Sequence, residues 1–171
     1  MRQTAVRLIN AQRTLPVNTA RLTRVARCAL RRLQIRSQGE IAITLIDSRR
    51  MRGLNKRFLR HDRPTDVLSF RYEGEPAGLP RLWAGRRQVI GEILIAPAAA
   101  QAYAKRHRLS YAEELSRYVV HGLLHWVGYE DRTAVQRRRM RAREDRLLGR
   151  CDAYIKGTRY FLKREKYLVP R

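Results

Sequence analysis

Two histidines, His121 and His125, stand four residues apart in the run HGLLHWVGYED, and two acids, Glu130 and Asp131, follow closely. On a helix, residues four apart have Cβ atoms about 5–6 Å apart on one face, so both imidazoles can reach one ion at Zn–N distances of about 2.0–2.1 Å. A helix alone cannot surround a metal. Gly128 lets the chain leave the helix and fold back, so that an acid beyond it offers an oxygen ligand from the opposite side. Spacing alone leaves Glu130 and Asp131 both open for that role. Three protein ligands leave a fourth position for water, the arrangement of a catalytic rather than a structural zinc site. The pattern lacks one part of a zinc peptidase: the position after the first His, where those enzymes carry a Glu general base, is Gly122. Peptide hydrolysis by that route is therefore disfavoured.

The elements that would position these groups read as strands and helices in mixed order. Thr4 to Ile9 reads as a strand, and Leu22, Val25, Ala26, Ala29, Leu30 and Leu33 then recur at helical spacing behind Asn18 or Thr19 as the cap. Glu40 to Ile46 is a strand apolar on both faces, after which Asp47-Ser48 caps a short helix bearing Met51, Leu54 and Phe58 and ending near Arg60. His61 to Pro64 is a turn, Thr65 to Phe70 a strand, 71 to 87 a long loop or irregular hairpin, and Val89 to Ala96 a strand. Pro97 suits the first turn of the next helix. Ser110 with Glu113 makes a capping box for a helix running to about Val127, where Gly128 stops it. Thr133 with Gln136 opens a last helix that presents Met140, Leu147 and Leu148 and is expected to end at Gly149.

Composition bounds the partners. The 171 residues fit one domain, and 38 Lys+Arg against 15 Asp+Glu give a net charge of +23. Only five of the cations are Lys, and Arg pairs with phosphate through a planar fork, so polyanions are the first expectation and acidic, cation-storing proteins are disfavoured. Residues 1–39 contain no acid, yet the strand and helix there read as part of the fold rather than as a transit peptide. No stretch approaches the roughly 18 apolar residues of a membrane helix. Cys28 and Cys151 lie in no metal-type spacing and do not read as a disulfide framework, which points to a reducing, cytoplasmic compartment.

The run HGLLHWVGYED resembles the His-Gly-x-Leu-His-Leu-x-Gly-Tyr-Asp-His signature of the YbeY family of metal-dependent endoribonucleases of ribosomal RNA maturation. Three further segments are similar to that family in the same order. Asn55 to Phe70 is similar to its Asn-x-x-aromatic-x-Arg-x-x-Asp-x-Pro-Thr-Asp-Val-Leu-Ser-Phe block, Ile90-Gly91-Glu92-Ile93 to its Leu-Gly-Asp-Ile strand, and Met140 with Glu144 to its late Met-x-x-x-Glu. Two positions depart from the pattern. The family's third ligand is a His where this chain has Asp131, which keeps a donor but makes it anionic, and the family's Gly-Asp is here Gly91-Glu92.

The resemblance implies a single α+β domain over residues 1–151, with a small mixed β-sheet of about four strands packed with helices around a central His-bearing helix. Residues 152–171 would be a basic, aromatic extension in which Tyr154, Tyr160, Phe161 and Tyr167 alternate with cations, a composition suited to stacking bases. It further implies one divalent ion, Zn2+, on His121, His125 and Asp131, with Arg60, His121 and His125 catalytic and Arg60, Arg63 and Ser69 on RNA phosphates. The implied activity is single-strand-specific cleavage in maturation of the small-subunit ribosomal RNA 3′ end and in ribosome quality control. The implied partners are ribosomal RNA, the small ribosomal subunit and ribosomal-protein or assembly-GTPase factors, engaged by a monomer. An alternative from another class is a non-catalytic RNA-binding ribosome-assembly factor with a structural metal, since the signature supplies ligands but no obvious separate general base.

Overall fold

The computed structural model describes residues 4–63, 65–72 and 88–156; of the long loop expected at 71–87 all but its first two residues, and of the C-terminal extension residues 157–171, lie outside the described residues. Four strands, β1 (Ala5–Asn10), β2 (Glu40–Leu45), β3 (Val67–Arg71) and β4 (Val89–Ile95), form one sheet in the order β1-β2-β4-β3. β1, β2 and β4 run parallel, and β3 closes one edge antiparallel to β4, pairing Val67 with Ile95 and Arg71 with Gly91. Five of the six β2 residues are buried, as its two apolar faces required, because helices cover both sides of a parallel strand.

Helix α1 (Thr19–Arg32) crosses from β1 to β2, α2 (Ser48–Leu59) leads from β2 toward β3, and α3 (Pro97–His107), α4 (Tyr111–Trp126) and α5 (Ala134–Lys156) follow β4. One face of the sheet, with Ile41, Ile43, Leu45, Ile93 and Ile95, packs with Leu22, Val25 and Ala29 of α1, Val119, Leu123 and Leu124 of α4, and Met140 and Leu147 of α5. The other face packs Leu68 and Leu94 with Met51 and Leu54 of α2. The expected mixed sheet around a central His-bearing helix is what forms.

Local side chains set the helix starts. Asn18, not Thr19, caps α1, its Oδ1 accepting from Arg21 N at 2.9 Å, and Asp47 caps α2 by accepting from Arg50 N at 2.8 Å. Thr133 and Gln136 satisfy each other's backbone N–H at 3.2 and 2.9 Å, a complete capping box. Two expectations are corrected. Gly149 does not end α5, which continues to Lys156, since Leu147, Leu148 and Cys151 lie on the face that packs inward. Cys28 and Cys151, expected to stay apart as thiols, form a disulfide that joins α1 to α5 with a Cα separation of 5.7 Å. Their pairing follows from the packing of the two helices, which no local spacing reveals. No helix among the described residues is long and apolar enough to cross a membrane.

Candidate metal centre

Helix α4 can approach the sheet closely because Gly122 carries no side chain. A Cβ there would lie 2.4 Å from Ile93 Cγ2 and 3.1 Å from Val67 Cγ1, and the Ser69 hydroxyl donates to the Gly122 carbonyl at 2.9 Å. The position that would hold the peptidase Glu thus has no room for one. One turn away, Gly91 on β4 is equally constrained, since a Cβ would fall 1.9 Å from Trp126 Nε1.

The C-terminus of α4 ends in a Schellman turn. Gly128, at φ +97°, donates its N–H to His125 O at 2.9 Å, and Tyr129 N donates to Leu124 O at 2.9 Å. That reversal delivers the Tyr129 carbonyl to His125 Nδ1 at 2.8 Å, and brings Asp131 back over the helix. His121 Nδ1 in turn meets Glu144 Oε1 of α5 at 2.8 Å. Carbonyl and carboxylate oxygens only accept, so both Nδ1 atoms carry the proton, and each Nε2 keeps a lone pair whenever its imidazole is neutral. The two Nε2 atoms face each other at 2.9 Å, and one Asp131 oxygen or the other lies 3.8 Å from each. The ligand atoms of His121, His125 and Asp131 all lie within 4.8 Å of one another, so they could hold a metal ion, and the donor set of two imidazoles and a carboxylate suits zinc or a similar divalent cation.

The surrounding charges hold this arrangement. Arg117, one turn before His121, donates to Glu144 Oε2 at 3.0 Å and to Asp145 at 2.7 Å. Burial resists ionisation of Glu144, but the hydrogen bond from His121 and the Arg117 guanidinium outweigh it and hold the carboxyl below its ordinary range. Burial also opposes the His121 imidazolium, yet the Glu144 contact prevails and raises that histidine, while burial and then His121 itself lower His125. Glu130 points elsewhere, pairing with Arg132 at 3.0 Å on the exposed surface, so the geometry favours Asp131 over Glu130.

The other expected site residues fall nearby in the chain but play different local parts. Arg60 caps the C-terminus of α2 in a left-handed conformation, φ 59°, and is exposed, with no side-chain hydrogen bond or ion pair among the described residues. Arg63 is exposed, and its carbonyl accepts from Asn55 Nδ2 at 2.6 Å. Ser69 donates its proton to the Gly122 carbonyl and so fastens α4 to β3. Glu92 accepts from Tyr72 Oη at 3.0 Å. Sequence reasoning named Glu144 without a role and missed Arg117 and the Tyr129 carbonyl. Glu144 carried a signal, since Met140, Glu144, Leu147 and Leu148 place an acid on the inward face of α5, where it needs a buried partner.

Exposed arginines surround this core, among them Arg24 and Arg27 on α1 and Arg138, Arg139 and Arg146 on α5. A four-stranded mixed sheet under a helix with a converging His-His-Asp group defines an α+β protein built around a candidate metal centre.

The sequence matches the family model Endoribonuclease YbeY over residues 7–152, and the chain belongs to that family. Proteins named Endoribonuclease YbeY are 38% identical over 129 residues in Myxococcus xanthus, 35% over 136 in Pelotomaculum thermopropionicum and 34% over 137 in Mycobacterium bovis. These alignments cover 75%, 78% and 78% of this chain, and 42%, 86% and 76% of the respective relatives. The solution structure of TM1509 from Thermotoga maritima has the same fold, with a TM-score of 0.57 at 20% identity, covering 89% of this chain and 92% of that one.

Proposed function

We propose that this chain is a metal-dependent endoribonuclease that cleaves single-stranded RNA during maturation of the small-subunit ribosomal RNA 3′ end, with a part in ribosome quality control. The observation that carries the reading is the pair of Nε2 atoms facing each other at 2.9 Å beside Asp131, in a chain of the endoribonuclease YbeY family. His121, His125 and Asp131 would hold one divalent ion, Zn2+ by the character of its donors. Such an ion, when bound, polarises a phosphoryl oxygen and lowers the pKa of a water.

The remaining work falls to the chain. Glu144 and the Tyr129 carbonyl fix the two imidazoles by holding the Nδ1 protons. Arg60 and Arg63, exposed at the end of α2, would grip phosphate oxygens, Arg60 being the one aligned with the reacting phosphate. The exposed arginines of α1 and α5 supply sequence-independent attraction to ribosomal RNA. The protein would act in the cytoplasm as a monomer on the small ribosomal subunit, alongside ribosomal-protein or assembly-GTPase partners.

Cleavage of a single-stranded RNA by metal-free, metal-restored and His125→Ala protein tests the reading. Cleavage restored by metal and absent in the variant supports it. RNA binding without cleavage in all three forms would instead favour an assembly factor with a structural metal.

A further inference from the structure

Beside the metal centre, sharing His121 and Asp131 as one wall, lies a chamber of about 190 Å³. Its lining holds more hydrogen-bonding capacity than the protein uses. Glu114 is 5% exposed, and its carboxylate accepts no hydrogen bond among the described residues; Arg117 Nε is 3.8 Å away and belongs to a guanidinium already bonded to Glu144 and Asp145. Tyr118 is 8% exposed, and its hydroxyl has no partner among the described residues. Asp66 spends Oδ1 on the Val67 N–H and the Thr65 hydroxyl and leaves Oδ2 unengaged. Two buried residues, Glu114 and Tyr118, and the half-buried Asp66 thus turn spare hydrogen-bonding capacity to one chamber, where a ligand can supply the partners.

The chemistry of that ligand follows from the lining. Two carboxylates and a phenol call chiefly for N–H donors. A bare metal ion does not answer, because the only group of three or more His, Cys, Asp and Glu residues among the described residues whose ligand atoms converge within 4.8 Å is His121, His125 and Asp131. The size suits an aromatic ring, since a cavity of about 150 Å³ accommodates benzene. Arg137, exposed, and Arg141, half-buried, belong to the same lining and suit a phosphate attached to that ring. Single-stranded RNA offers such a group, because its unstacked bases can be splayed out and read on their edges.

We propose that this chamber receives the base of a nucleotide adjoining the scissile phosphate, and that Glu114, Asp66 and Tyr118 select a base carrying an exocyclic amino group over uracil. A carboxylate accepting from the cytosine amino group is an established pairing, and adenine and guanine present equivalent donors. The inference rests on the RNA-cleaving reading of the neighbouring metal centre. It adds a substrate preference to that site.

Two measurements test it. Cleavage sites on a mixed-sequence single-stranded RNA, mapped for the full-length metal-loaded protein, should concentrate next to adenine, cytosine or guanine over uracil by about tenfold, the order expected when a polar site loses one hydrogen-bonding partner. Glu114→Gln and Tyr118→Phe should each flatten that preference, with bound metal unchanged by mass spectrometry and the fold unchanged by circular dichroism. Equilibrium dialysis of wild-type protein should show AMP and CMP binding about tenfold more tightly than UMP, a comparison that needs no variant. Even cleavage next to all four bases, or equal retention of AMP, CMP and UMP, would overturn the proposal. Selective AMP binding that Glu114→Gln abolishes, in a protein that cleaves no RNA, would uphold the chamber and remove the nuclease reading instead.

Discussion

The hydroxyl of Ser69 donates to the carbonyl of Gly122 at 2.9 Å, tying the edge strand β3 to the helical turn that carries His121 and His125. The contact exists because Gly122 brings the α4 backbone onto Ile93 and Val67. Helix propensity alone would make Ala the better residue at 122 by about 1 kcal/mol. Overpacking a tight contact costs about 1–3 kcal/mol, so Gly122→Ala should lower stability in chemical denaturation and weaken metal binding by displacing both ligands together. A variant more stable than the wild type would show that the close approach is not required.

Asp131→Ala should sharply lower metal content, because the two imidazoles of one helical turn no longer have an anionic donor opposite them. Glu130→Ala should leave metal content near the wild-type level, since Glu130 pairs with Arg132 in solvent. Glu144→Ala should weaken affinity by about 10–100-fold through loss of the group that orients His121. Metal titration of the three variants separates these roles, and metal lost with Glu130 but kept without Asp131 would reassign the ligand set.

The metal-free protein should be most stable near pH 6.5, about the ordinary histidine value. His121 is raised in the fold, so its contribution is full below that value and is lost as pH rises through its higher folded pKa. His125 is lowered, so its contribution is present above the ordinary value and lost as pH falls through its folded pKa. Glu144, also lowered, adds a further loss as pH falls below the usual carboxylate range. Excess zinc should move the maximum upward, because the ion competes with protons for Nε2. Thermal melting from pH 4 to 9 checks this, and a metal-free melting temperature that climbs steadily to pH 9 would contradict it.

Binding to ribosomal RNA should weaken steeply with salt, as when on the order of 6 to 10 phosphates are neutralised, given a net charge of +23 and exposed arginines on α1 and α5. Filter binding across a salt series measures the slope. A nearly flat series would rule out an electrostatic interface.

Arg60→Ala should lower cleavage far more than it lowers RNA binding. It removes one of 33 arginines from the total attraction, and in the proposed mechanism it is the one aligned with the reacting phosphate. Equal losses in single-turnover cleavage and in binding would assign Arg60 to attraction alone.

The sequence made local features legible and tertiary ones not. Asn18, Asp47, Ser110 and Thr133 announced helix starts because a cap bonds within three residues, and Gly128 announced a helix end because its backbone conformation is one that glycine adopts at little cost. The histidine pair was visible because its spacing equals one helical turn. The partner of His125 was invisible, since Tyr129 contributes a backbone carbonyl and no side-chain signal. Gly149 misled for the converse reason: its neighbours Leu147, Leu148 and Cys151 pack inward, and that tertiary contact carries α5 past it.

The bond between Cys28 and Cys151 joins residues 123 positions apart in sequence, and encloses β2, β3, β4 and the entire helix of the two histidines. Topologically the His121, His125 and Asp131 group sits inside a covalent ring. A single backbone cut anywhere between residues 29 and 150 would open that ring without releasing a fragment, so a nicked molecule would migrate as one species until a reductant divided it in two.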